Sequence, residues 1–224
     1  MTDERAALAE VELLGALTYG QLRAYTAAVA VVPLAPDVGR ADELLAFSLR
    51  EQLRYQDLRA RLAELTDLTG PVLDRQKGPF DAFFNTVPLT DWLGGVTFLA
   101  VGLPMAADFA RAVAPVVGDD TAKVIVATIA GRARMEAFAL HELRGLLEGD
   151  AATAERARGM VADVVGLALT SFTSALGQTD ALRVLFERRA GDLSITAEGV
   201  VKRMAIEVLG AHRRRMVDLD LDEL

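Results

Sequence analysis

Glu51 and Arg54 stand three residues apart on the apolar stripe of a long helical segment, 44–65. Leu44, Phe47, Leu58, Leu62 and Leu65 make up the rest of that stripe. A second segment, 121–147, puts Ile125, Thr128, Arg132 and Met135 on one stripe at the same spacing. Residues at i and i+3 of a helix project to one spot. A carboxylate-bridged di-metal centre places Glu-x-x-His at such spots inside a helix bundle. This chain carries Glu51-x-x-Arg54 and Arg132-x-x-Met135 there. The spacing suits a di-metal site; the residue types do not.

Two divalent ions need several anionic oxygens, usually with imidazoles. Methionine is a soft donor unsuited to oxygen-activating iron, and an arginine places a fixed cation where the metal would sit. Two readings of the pair compete. A solvated i,i+3 ion pair contributes about 0.3 kcal/mol. A buried carboxylate without a partner costs far more, so on the apolar stripe Arg54, Arg132 or both should reach Glu51 inside the bundle, guanidinium replacing metal as counter-charge. Two arginines against one carboxylate leave excess positive charge, for which Glu12 and Glu136 are candidate partners.

Other chemistry-bearing residues read more plainly. Tyr19, Tyr25 and Tyr55 are expected as core aromatics with one hydroxyl hydrogen bond, the alternative being redox-active or pocket-lining tyrosines. Phe80, Phe83 and Phe84 should pack a connecting loop rather than roof a pocket. Arg213, Arg214 and Arg215 suit a helix C-terminus, where the dipole favours cations without any partner, the alternative being contact with RNA or phosphate. His141 and His212, the two histidines, fall outside the seam positions. Ser48, Ser171, Ser174 and Ser194 have no His and acid at a recognisable spacing, and Gly94, Gly95 and Gly102 lack the strand–turn–helix setting of a phosphate loop.

The 224 residues suffice for one domain with a large apolar core. Hydrophobic residues make up 52% and charged residues 25%, which excludes a disordered composition. Ala, Leu and Arg dominate, favouring helix. A net charge of −8 argues against sequence-independent nucleic-acid binding, which needs clustered cations. With no cysteine, disulfides, thiolate nucleophiles, Fe–S clusters and cysteine zinc sites are excluded. Met1-Thr2-Asp3-Glu4-Arg5 shows no secretory n-region, and the apolar stretches 27–34 and 92–105 are too short to span a bilayer and read as buried helix. A soluble, cytoplasmic protein without membrane contact is expected.

The first helix is predicted over 4–31, with Val11, Leu14, Thr18, Gln21, Tyr25 and Ala28 forming an antiparallel-packing seam. Pro33 and Pro36 end it. Thr69-Gly70-Pro71 should stop the second helix, and 74–87 reads as a long connection crossing the bundle end. Thr90-Asp91 should cap a third helix carrying Trp92, Val96, Leu99, Leu103, Ala106, Ala110 and Val113, bent or closely packed at Gly94, Gly95, Gly102 and Pro104. Gly118-Asp119-Asp120 leads into the fourth helix and Gly149-Asp150 into a fifth, 151–176, with Val161, Val164, Val165, Leu169 and Phe172 on one stripe. A short piece, 180–189, and a last helix from about 194–196 to 216 follow. One domain, 1–217, and an acidic tail, 218–224, are expected.

Val11-Glu12-Leu13-Leu14-Gly15-Ala16-Leu17-Thr18-Tyr19-Gly20-Gln21-Leu22 resembles the first helix of an actinobacterial ferritin-like family related to the tRNA 2-methylthio-N6-isopentenyladenosine hydroxylases. The likeness continues in 55–62, 106–109, 138–140 and 211–216. It implies an all-α, ferritin-like four-helix bundle with additional C-terminal helices. In metal-binding members, as the resemblance implies, helix one supplies Glu, helix two Glu-x-x-His, helix three a carboxylate and helix four a carboxylate-x-x-His. Here Gln21 replaces the first Glu, Glu51 is retained, Arg54 replaces its His, Leu103 takes the third-helix position (with Asp108 about a turn and a half away), and Arg132 and Met135 take the last pair. One ligand of the set survives. The expectation is a metal-free, non-catalytic protein with a structural or interaction role, without cofactor, acting with a homo-oligomeric or other protein partner. The alternatives are a hydroxylase- or oxidase-like enzyme holding iron through an unconventional ligand set, and a small-anion binder using the arginine-lined vacated site.

Overall fold

Alanine, leucine and arginine lose little side-chain freedom in a helix, and helices account for nearly all of this chain. The computed structural model describes residues 2–87, 89–178 and 180–221. Among these there are ten α-helices and no strand: α1 (Thr2–Val31), α2 (Val38–Leu65), α3 (Thr69–Phe84), α4 (Trp92–Thr97), α5 (Leu103–Val113), α6 (Asp119–Ala130), α7 (Ala133–Leu147), α8 (Ala151–Gln178), α9 (Asp180–Leu193) and α10 (Ala197–Asp218). Asp37, Asp91 and Thr196 cap α2, α4 and α10 through their side chains, as Ser/Thr/Asp N-caps do. The N-terminus of α6 is capped by a distant residue, Glu10, which accepts from Gly118 N (3.0 Å) and from the Thr121 hydroxyl.

Four rods make the bundle: α1, α2, α4–α5 and α6–α7. Their directions follow from what meets what. Gln21 reaches Glu51, so α1 and α2 are antiparallel neighbours. Gly95 lies against Val31 and Gly118 against Glu10, so α4–α5 runs opposite to α1. Thr121 meets Glu10 and Arg132 meets Gln21, so α6–α7 runs with α1. A crossover as long as the bundle must therefore join α2 to the third rod. That crossover is α3, which corrects the expected loop over 74–87. Thr66 ends α2, while Gly70 and Pro71 fall in the first turn of α3 instead of stopping α2. Proline is tolerated there because a first-turn N–H has no helical acceptor to lose. The helix lies along α1 rather than across the bundle end. Gly15 and Gly20 let Val72 and Phe80 approach the α1 backbone, and Asp81 accepts from Tyr19 and Arg23 (both 2.8 Å). Phe83 and Phe84 continue this packing edge-on, Phe84 against Phe98.

The third rod carries a π-helical turn at Phe98–Gly102, just before Pro104. Pro104 has no N–H to donate, and a wider turn accommodates the loss. The rod from Trp92 to Val116 is long and apolar enough to cross a membrane, but 83% of its apolar window is buried in the bundle. The fourth rod, expected as one helix over 121–147, breaks at Gly131-Arg132 into α6 and α7.

Outside the bundle, α8 packs on α7 and α4, α9 on α1, and α10 on α5 and α9. The Phe172 side chain, expected on the α8 stripe, lies outside the described residues. The last helix runs two residues past the expected end, through Asp218. Asp220 adopts φ 55°, Leu221 N bonds Met216 O (2.9 Å) and Asp220 N bonds Val217 O (3.1 Å). This helix-stop motif turns Leu219 and Leu221 back into the core. The start of the expected acidic tail is thus part of the domain; residues 222–224 are outside the described set.

Candidate functional site: a buried guanidinium–carboxylate layer

Polar side chains interrupt the core of the bundle at mid-height. One apolar cluster holds Ala24, Ala28, Leu44, Phe47, Val101, Leu103, Met135 and Ala139. The other holds Leu14, Leu58, Leu62, Ala107, Ile125 and Ile129. Between them lie Thr18 and Gln21 on α1, Ser48 and Glu51 on α2, and Thr128 and Arg132 on the fourth rod, all buried. Thr18, Ser48 and Thr128 return their hydroxyls to backbone carbonyls four residues back, so they satisfy themselves locally. Gln21, Glu51 and Arg132, with Arg54, satisfy one another.

Glu51 is fully buried. Its Oε2 accepts from Gln21 Nε2 (2.8 Å), Arg132 Nη2 (2.8 Å) and Arg132 Nε (3.2 Å), while Oε1 accepts from Arg54 Nη1. Gln21 Nε2 also donates to the Glu51 carbonyl (3.0 Å), and Gln21 Oε1 accepts from Arg132 Nη2. Burial alone pushes the Glu51 carboxyl up, but the charges of Arg132 and Arg54 and the bonds from Gln21 and Arg132 outweigh it and hold it below the usual carboxylate range. Glu51 is therefore ionised. Burial lowers the Arg54 guanidinium from its ordinary value; Glu51 opposes that and Arg132 adds to it.

The helix break belongs to this layer. Arg54 Nη2 occupies the space where a side chain at residue 131 would start, so glycine is the residue that lets the guanidinium lie on the fourth rod. Arg132 stands at the N-cap of α7, and from there its side chain reaches both α1 and α2. The buried stripe Ile125, Thr128, Arg132 and Met135 survives the break.

Of the six positions named from sequence, four converge: Gln21, Glu51, Arg54 and Arg132. Leu103 and Met135 are buried as hydrocarbon in the first apolar cluster. The proposed extra partners are elsewhere. Glu12 pairs with Arg75 and accepts from Gln76 on α3, and Glu136 is half-buried in the first turn of α7. Asp108 pairs with Arg111 (2.6 Å) and Arg215 (2.9 Å), tying α5 to α10. Arg215 therefore has a specific carboxylate partner, which the helix-dipole reading of 213–215 missed. Tyr19 is a core aromatic with one hydroxyl bond, as expected, and Tyr25 and Tyr55 are half-buried. His212 is buried on α10, and His141 lines an open cavity of about 650 Å³ at the C-terminal end of α7.

A di-iron centre does not fit this donor set. Its one carboxylate has both oxygens taken by nitrogen donors, and two fixed cations share the space. Among the described residues, no group of three or more His, Asp or Glu is placed to hold a metal ion.

The bundle with its long crossover defines the class as an all-α ferritin-like protein. The family model described as ferritin-like domain, actinomycetes, matches residues 4–189, and the chain belongs to that family. The match ends before α10. A comparison with curated proteins finds no match.

Proposed function

We propose that this protein is a metal-free, non-catalytic member of its ferritin-like family, with a structural or interaction role exercised through a second copy of itself or another protein. The observation that carries this reading is the saturation of Glu51: each oxygen of the surviving carboxylate accepts from a guanidinium. A buried charge so paired cannot be exchanged for a divalent cation without leaving two arginines unpaired, which costs about 3–5 kcal/mol for each broken buried pair. We further infer descent from a hydroxylase-type ancestor akin to the tRNA 2-methylthio-N6-isopentenyladenosine hydroxylases. The support is positional: Gln21, Glu51, Arg54 and Arg132 converge where the resemblance places ligands.

The test is elemental analysis of protein purified aerobically from iron-supplemented medium. Iron and manganese well below one per chain are the expected result. Close to two metals per chain, lost in Glu51→Ala, would refute the reading and favour a hydroxylase- or oxidase-like enzyme. One observation favours a second reading, a small-anion site. The layer holds two guanidiniums and one carboxylate, and Arg54 retains some exposure (12%). On that reading, nitrate or phosphate at constant ionic strength raises the Tm of the protein and fails to raise that of Arg54→Met.

A further inference from the structure

The outer face of α2 is apolar where a solvent-facing helix is ordinarily charged. Val38 (84% exposed), Leu45 (46%), Leu49 (56%) and Leu53 (56%) project outward. Ala46, Gln56, Ala60 and Ala63 are exposed on the same side; Asp42 and, near its C-terminal end, Glu64 are the charges along that strip, with Arg50, Asp57 and Arg59 flanking it. At 100° per residue these positions fall opposite the buried stripe of Leu44, Phe47, Glu51, Leu58 and Leu62. Among the described residues, no other helix covers them.

The order of residues along the strip is self-complementary about Leu49. Four positions to either side are Leu45 and Leu53, seven to either side are Asp42 and Gln56, and eleven to either side are Val38 and Ala60. When two such helices pack antiparallel about a two-fold axis at Leu49, residue 49+n meets residue 49−n of the partner, which is the geometry of an isologous contact. Leucine then meets leucine, valine meets alanine, and each Asp42 carboxylate meets a Gln56 amide that can donate to it. The charge nearest the centre is turned aside, since the Arg50 guanidinium lies over the ring of Phe47 in its own chain (5.8 Å).

The area is of the right order. The four large apolar side chains expose on the order of 400 Å², the size of the largest apolar patch on an ordinary monomer. The alanine and glutamine stems between them add to this and bring the face toward the roughly 800 Å² per partner of a standard stable interface. We infer that the α2 face is the two-fold interface of a homodimer, centred on Leu49 with the α2 helices antiparallel.

This deepens the interaction role proposed above and names its partner as a second copy of the chain. Sedimentation equilibrium of the full chain tests it. Wild type should be dimeric at micromolar concentration. Leu49→Glu should be monomeric with its helical content and unfolding cooperativity intact, because Leu49 faces outward; Leu53→Lys is a second disrupting variant should the first fail to fold. Gln56→Glu, which sets two carboxylates against each other at each end, should weaken the dimer about tenfold or more, and Gln56→Lys should tighten it. A monomeric wild type, a dimer indifferent to both leucine variants, or a dimer indifferent to both Gln56 variants overturns the assignment. Metal content read on the same sample keeps the two proposals apart. Iron in a dimeric sample refutes the metal-free reading alone, and a metal-free monomer refutes this interface alone.

Discussion

Replacing Arg132 by methionine removes the cation that touches Glu51 Oε2 through two nitrogens and holds the Gln21 carbonyl oxygen. At an effective dielectric of about 20, opposite charges about 4 Å apart attract by about 4 kcal/mol. Part of that is returned because methionine has no charge to desolvate, and Arg54 still faces Oε1. The expected net loss is about 3 kcal/mol, the low end for breaking a buried pair. In a domain of this size it lowers Tm by roughly 6–12 °C. Glu51→Gln should lose a comparable amount, because two guanidiniums then lack their counter-charge. The double variant should cost less than the sum by about 2 kcal/mol. Carrying the change to Gln21→Leu, Glu51→Leu, Arg54→Met and Arg132→Met together joins the two apolar clusters, and such replacements range from neutral to about 4 kcal/mol stabilising. Urea unfolding at one fixed protein concentration gives these values from midpoints at constant m. Additivity within about 0.5 kcal/mol, or a Glu51→Gln loss below that, would refute the coupled layer.

Acid should expose the same residue. The folded Glu51 carboxyl sits below its ordinary value of 4.5, so between the two values the unfolded chain binds more protons. Stability from Glu51 is then complete above about pH 4.5 and falls as pH drops through the folded value; Glu51→Gln should flatten that acid limb in urea midpoints taken from pH 6 to 3. Gly131→Ala should cost about 1–2 kcal/mol, since its new carbon meets an Arg54 guanidinium tethered to Glu51. An Arg54→Met background should remove most of that penalty, and an equal cost in both backgrounds would show that the glycine serves only the helix break.

Helix content, the seam of α1, the buried stripe of α2 and most of the caps were legible in the sequence, because each is set by local spacing and by which residues tolerate a helix start. Glu51, Arg54 and Arg132 were legible as a charge group for a related reason: ionised side chains on an apolar stripe must find one another or remain costly. What local pattern does not carry is which rods become neighbours. Thr69-Gly70-Pro71 reads as a stop, yet proline at a first turn starts a helix equally well, and only the burial of Val72 and Phe80 against Gly15 and Gly20 decides for α3. The break in the fourth rod is likewise tertiary, since Gly131 admits a guanidinium from α2, seventy-odd residues earlier in the chain. Leu103 and Met135 share the periodicity of the ligand positions but lie in the apolar cluster, as periodicity fixes a face and not a height. The choice of Asp108 for Arg215, and of Arg75 for Glu12, also waits on packing, because the sequence supplies charges and the fold sets their distances.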